Sequence, residues 1–262
     1  GHGVQDAIDA GSVEPGTEER PWWVDGGEGG TLGIAAHPQY PDESYVYVYY
    51  TATEGDGKVN RVVRYDVEAP DPAETEETLI DGIPAENYHN GGRITFGPDD
   101  NLWVCTGDAG TRENARNLSS LAGKILRVSP EGEPLTPNPA LDGDPRIFTY
   151  GHRNPQGIDW LPDGVPVVNE HGPTGLDELQ ALRPGGDYGW NVARGGPDND
   201  TFDSYTEHDD FVPPVLNTGP GISWAPTGAT FYDGDAIPAW QNRHIVAVPN
   251  DHKVDALDAG MC

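Results

Sequence analysis

Gly92-Arg93-Ile94-Thr95-Phe96-Gly97-Pro98-Asp99, followed by Leu102-Trp103-Val104-Cys105, is the stretch that decides the fold. It reads as a glycine, a short apolar strand, a Gly-Pro-Asp turn and a second apolar strand. Proline presets a turn backbone and aspartate closes it through its own side chain, so the chain reverses between the two runs. The same unit stands earlier as Gly33-Ile34-Ala35-Ala36-His37-Pro38 with Tyr45-Val46-Tyr47-Val48-Tyr49-Tyr50. It returns as Gly157-Ile158-Asp159-Trp160-Leu161-Pro162-Asp163 with Val165-Pro166-Val167-Val168. A last copy is Gly228-Ala229-Thr230-Phe231-Tyr232-Asp233 with His244-Ile245-Val246-Ala247-Val248.

The leading glycines recur at intervals of about 60 to 70 residues. Further strand-like runs fill the intervals, among them Val62-Val63-Arg64-Tyr65-Asp66-Val67 and Lys124-Ile125-Leu126-Arg127-Val128. No apolar stripe of helical period is visible, so the chain reads as all-β. A long repeat of several short strands predicts a β-propeller of four-stranded blades, with a β-sandwich as the alternative. The 262 residues give about four to five blades' worth of sequence, as a single domain over 1–262. Propellers close so that no sheet edge stays exposed, and on this count the ring is incomplete.

Fifteen basic residues face 44 acidic ones, for a net charge of −29. Such a surface repels nucleic acid and anionic membranes. It also repels itself, and concentrated salt removes most of that penalty by shortening the screening length to about 3 Å at 1 M. The acidity therefore reads as adaptation to a salt-rich milieu, and runs such as Glu74-Thr75-Glu76-Glu77 as solvated loops. No stretch approaches the ~20 apolar residues of a membrane span. No basic, apolar and small-residue leader opens the chain, so an export signal is expected to be absent or already removed. Of the two cysteines, Cys105 lies in an apolar run and is expected to be a buried small hydrophobe; Cys262 ends the sequence.

Three segments are unlike ordinary turns: His89-Asn90-Gly91-Gly92-Arg93, Tyr150-Gly151-His152-Arg153-Asn154-Pro155-Gln156-Gly157, and Asn169-Glu170-His171-Gly172-Pro173 with Asp177-Glu178 and Gly185 to Trp190. His89 is a candidate general base or a plain loop histidine. Arg153 and Asn154 offer a fixed cation and an amide, which suits an anionic ligand, or else a turn stapled by an arginine. Glycine and proline leave backbone carbonyls free for calcium, and Asp177 and Glu178 either join them or cap a strand.

Taken jointly, these segments and Gly27-Glu28-Gly29-Gly30-Thr31-Leu32 resemble the soluble aldose and glucose dehydrogenases that use pyrroloquinoline quinone (PQQ), over about residues 27–250. The resemblance implies a six-bladed propeller with PQQ and Ca2+ on its axis. It implies oxidation of the C1 hydroxyl of an aldose to the lactone, with hydride passed to the quinone. By the same likeness His89 is the base and Arg153 both binds the cofactor and steadies charge on the quinone. Asn154 and His171 are cofactor contacts, and Glu28 lies near the substrate. Gly172 and Pro173 supply carbonyls to the catalytic calcium, and Glu178 and Tyr188 ligate a second, structural calcium. The likeness also implies an extracytoplasmic enzyme with an electron acceptor that the sequence does not name.

The sequence departs from the family in three places. A family lysine is either displaced by one residue to Lys253 in Val248-Pro249-Asn250-Asp251-His252-Lys253 or absent. Tyr88 precedes the base where some members carry aspartate. The family's last blade has no counterpart before Cys262. A calcium- and sugar-binding propeller without catalysis, and a calcium-dependent lactonase, therefore stand as alternatives. From the charge alone, the thermal midpoint is expected to rise by about 10 °C or more between roughly 0.1 M and 2 M KCl, read by circular dichroism. A midpoint that is flat or falls would contradict the salt reading.

Overall fold

A computed structural model of the chain describes residues 27–248 except 56, 137, 140 and 195–202, together with the backbone of 253–258. The repeat predicted from the glycines is present as a succession of antiparallel sheets. The first runs β1 (Thr31–Ala36), β2 (Tyr45–Glu54), β3 (Gly57–Asp66) and β4 (Glu77–Pro84), in that spatial order. The second runs β5 (Ile94–Phe96), β6 (Leu102–Thr106), β7 (Lys124–Val128) and β8 (Ile147–Tyr150). The third holds β9 (Pro155–Trp160), β10 (Pro166–Glu170), β11 (Glu178–Ala181) and the short β12 (Leu216–Asn217). Among the described residues the fourth has three strands, β13 (Ala229–Tyr232), β14 (Arg243–Val248) and β15 (Lys253–Asp258). Each copy of the sequence unit is thus the first hairpin of a sheet. This is a propeller fold, and among the described residues the ring does not close.

Period-two alternation explains how one strand serves two interfaces. On β6, Leu102 and Val104 join Tyr47, Tyr49, Val62 and Ile80 of the first sheet in one apolar cluster. Trp103 and Cys105 face the other way, onto Ile158 and Val168 of the third sheet. Every residue of β6 is buried, and full burial of such side chains stabilises by roughly 1.5–3 kcal/mol each. Cys105 is the buried hydrophobe expected, and burial pushes its thiol up to about 12. Cys262 lies outside the described residues.

The repeated glycine has a packing reason. First strands of neighbouring sheets touch, β1 against β5 and β9 against β13. A Cβ on Gly33 would come within 2.0 Å of the Gly92 carbonyl oxygen, and one on Gly157 within 2.4 Å of that of Thr227. At Gly228 the nearest group is Arg93 Nη2, 3.9 Å away. The strand pattern also fixes where loops gather. In antiparallel sheets the β4–β5, β6–β7, β8–β9 and β10–β11 connections all emerge at one end, and they carry His89, Asp108, Arg153 and His171–Pro173.

Gly33→Ala should therefore cost about 1–3 kcal/mol of stability, while Gly228→Ala should change it by less than about 0.5 kcal/mol. Denaturant midpoints of the two variants test this; equal effects would contradict the close-approach account.

Candidate functional site

The site is built from the His89 loop upward. Asn90 is buried and pinned: Tyr49 Oη donates to its carbonyl at 2.8 Å, and Asn60 Nδ2 donates to its Oδ1 at 3.1 Å. That anchor holds His89 at φ +59°, a left-handed conformation that costs a non-glycine residue about 1–3 kcal/mol. Two hydrogen bonds offset the cost. The His89 N–H donates to Glu28 Oε2 at 2.7 Å, and Ala109 N–H donates to the His89 carbonyl at 3.0 Å.

Its imidazole is aimed by a carboxylate. His89 Nδ1 lies 2.8 Å from Asp108 Oδ1, and the side chains are 15% and 1% exposed respectively. Asp108 also accepts from Gly110 N–H at 2.8 Å and, on Oδ2, from the Trp190 indole N–H at 2.7 Å. A carboxylate partner takes a proton-bearing Nδ1, which leaves the lone pair on Nε2, pointing away from Asp108. Tyr88 stands edge-on to the His89 ring, with centroids 4.9 Å apart.

Trp190 joins the base to the cations. Its buried ring lies under three guanidinium groups, Arg194 at 5.0 Å, Arg112 at 5.2 Å and Arg153 at 5.6 Å from the centroid. Such contacts contribute about 0.5–2 kcal/mol each. Arg153 donates from Nη1 to the His171 carbonyl at 3.0 Å, and its backbone N–H donates to Glu170 Oε1 at 2.6 Å. Its buried Nε has no hydrogen-bond partner among the described residues. Burial, then the neighbouring Arg194 charge, lowers its pKa to about 10. A buried, under-partnered guanidinium is what an anionic ligand would complete.

The remaining expected residues fall in two groups. Asn154 Oδ1 accepts from Gly91 N–H at 3.1 Å, and its carbonyl accepts from His171 N–H at 3.3 Å, so it staples three loops. His171 Nε2 bonds the Pro226 carbonyl at 2.9 Å, and burial lowers its pKa. Gly172 N–H donates to Asp177 Oδ1 at 2.7 Å, while Asp177 Oδ2 accepts from Trp224 and Ala225 N–H at 2.6 and 2.9 Å. A Cβ on Gly172 would meet the Gly175 carbonyl oxygen at 2.0 Å, so this bend requires glycine. Among the described residues no hydrogen bond ends on the Gly172 or Pro173 carbonyl.

Glu178 and Tyr188 stand apart from this group. The Glu178 carboxylate accepts from Gln180 Nε2 at 2.7 Å and from Arg194 Nη1 at 3.1 Å. The Tyr188 hydroxyl donates to the Ala181 carbonyl at 2.8 Å and accepts from Arg183 N–H at 2.8 Å. Among the described residues no cluster of three His, Cys, Asp or Glu side chains is placed to hold a metal. Lys253 belongs to β15, and its side chain is outside the described residues.

Sequence reading missed Asp108 and Arg194, and gave Trp190, within the segment Gly185 to Trp190, no role of its own. Asp108 had a faint signal, a carboxylate directly after the wholly apolar β6. Arg194 had none, because its partners sit on β10 and β11.

A histidine–carboxylate pair and a buried arginine are thus gathered at one end of the sheets. The chain belongs to the glucose/sorbosone dehydrogenase family, whose sequence pattern matches residues 3–259. It is 29% identical over 240 residues to the aldose sugar dehydrogenase YliI of Escherichia coli, covering 87% of this chain and 64% of that one. It is 31% identical over 196 residues to quinoprotein glucose dehydrogenase B of Acinetobacter calcoaceticus, covering 64% and 41%. Among solved structures, the PQQ-bound aldose sugar dehydrogenase of Streptomyces coelicolor superposes with a TM-score of 0.73 at 34% identity, covering 92% of this chain and 66% of that one. The chain thus spans less than two thirds of the curated relatives it matches.

Glu170 yields a pH test. Burial alone would raise its pKa; the Arg194 charge, then the His152 hydrogen bond, outweigh burial and hold it at about 2 against an ordinary 4.5. A folded-state pKa below the unfolded one contributes stability that is complete above the ordinary value and is lost as pH falls toward the folded one. Glu170→Gln should therefore shrink the fall in denaturant midpoint between about pH 5 and pH 3. Parallel losses in the two proteins would contradict this.

Proposed function

We propose that this chain oxidises the C1 hydroxyl of an aldose to the lactone, with PQQ and calcium bound at the loop end of the propeller. The observation that carries the reading is the continuous path His89–Asp108–Trp190–Arg153. The donor set fits both groups. Arg153, with its unpartnered Nε, suits a polyanionic quinone, and the His171 ring is held nearby through the Pro226 carbonyl. The Gly172 and Pro173 carbonyls, free of protein donors among the described residues, suit a hard oxygen-seeking cation. When bound, PQQ would supply a two-electron hydride acceptor, and calcium held by the Gly172 and Pro173 carbonyls would supply a Lewis acid.

The protein's own part is the proton. His89 Nε2 takes the hydroxyl proton, and Asp108 stabilises the imidazolium that results. Glu28 keeps His89 in its left-handed conformation and so holds Nε2 at one position. Arg153 keeps a positive charge beside the place where negative charge develops, in a buried setting where such charges count most. Asn154 ties the base loop to the carbonyl loop, and Asp177 holds Gly172 against the Trp224 and Ala225 backbone. The acidity supports working conditions of high salt, and the family's cofactor supports a place outside the cytoplasm.

The decisive assay gives PQQ and calcium to the protein in about 2 M KCl and follows dye reduction with an aldose as donor. His89→Ala and Asp108→Asn should each lower kcat by about a hundredfold or more, with PQQ affinity within about threefold of the parent. Arg153→Ala should weaken PQQ binding by about ten- to a hundredfold. PQQ uptake without turnover would favour a binding module, and turnover of a lactone without PQQ would favour a lactonase.

A further inference from the structure

Glu170 and Glu178 are directly opposite each other in the β10–β11 register. Both side chains are buried. Like charges directly across a ladder repel, and burial strengthens the repulsion. Arg194 enters between them. Its Nη1 lies 3.2 Å from Glu170 Oε1 and 3.1 Å from Glu178 Oε2, and its Nη2 donates to the His171 carbonyl at 2.8 Å. The guanidinium is itself fully buried and lies 5.0 Å from the Trp190 centroid. His152 Nδ1 lies 3.0 Å from the second Glu170 oxygen, so four side chains meet at this corner. Burial opposes the Arg194 charge, but Glu178 and then Glu170 hold the group charged, above the ordinary arginine range.

A pair of buried, opposed carboxylates is an oxygen set that a divalent cation would otherwise fill. The other oxygens at this corner are taken as well. The Tyr188 carbonyl accepts from Tyr205 Oη at 2.7 Å, and the Tyr188 hydroxyl both donates and accepts within the protein. We propose that Arg194 is a built-in cation standing in place of a second, structural metal ion at Glu178 and Tyr188. Arg194 and Arg153 both donate to the His171 carbonyl, at 2.8 and 3.0 Å. The built-in cation is thereby tied to the loop that carries Gly172 and Pro173.

Calcium bound per chain, counted by equilibrium dialysis on the PQQ-free protein, tests this together with thermal midpoints. Glu178→Gln should bind as many calcium ions as the parent, although its midpoint shifts. Arg194→Ala should melt lower than the parent in chelator. It should bind one calcium more per chain and recover at least about half of the lost midpoint in roughly 5 mM calcium. Arg194→Lys, which keeps a cation, should gain no ion. Loss of one calcium in Glu178→Gln would overturn the proposal. So would an Arg194→Ala protein that gains none, or one that calcium fails to restore. Absence of PQQ uptake or turnover would overturn the functional reading and leave this ion count unaffected.

Discussion

The site depends on one buried carboxylate, that of Asp108. A carboxylate taken out of water is costly unless its oxygens find donors. Asp108 finds three: the His89 ring, the Gly110 backbone and the Trp190 indole. Gly110 belongs to the same loop as Asp108, while His89 and Trp190 come from other loops, 19 and 82 residues away. Satisfying one side chain therefore fixes the base, the turn after β6 and the aromatic platform relative to each other. Its own backbone extends the tie, because Asp108 N–H donates to the Arg153 carbonyl at 2.7 Å.

The same logic of donors operates a layer deeper. The net charge of −29 lies largely on the surface, yet the loop end draws in Arg112, Arg153 and Arg194 around one indole. Guanidinium groups suit this place because they stack on aromatic faces and fork onto several oxygens at once. Arg194 serves the buried carboxylates of β10 and β11. Arg153 makes one side-chain hydrogen bond, to the His171 carbonyl, and its Nε has no partner among the described residues.

Much of the fold was legible because strand repetition is a local signal. Gly92 to Cys105 contains a whole hairpin and its turn, and all copies of that unit became the first hairpin of a sheet. Why the leading glycine recurs was not legible, since the carbonyl that excludes a side chain at Gly33 belongs to Gly92, in the next sheet. The candidate site was legible where its residues form runs, as in His152-Arg153-Asn154. Asp108 and Arg194 escaped because a carboxylate or guanidinium acquires its role from partners brought in by packing. Glu178 and Tyr188 show the converse: the letters match the family's pattern, but Arg194 and the Ala181 and Arg183 backbone occupy their polar atoms.

The central claim is that Asp108 fixes the His89 imidazole with its proton on Nδ1 and its lone pair on Nε2. Nitrogen-15 NMR of the histidine rings at neutral pH reads this directly. The account predicts a protonated-type Nδ1 and a free-type Nε2 signal for His89, with that pattern lost in Asp108→Asn. A His89 ring that carries its proton on Nε2, or one whose signals do not respond to Asp108→Asn, would contradict it.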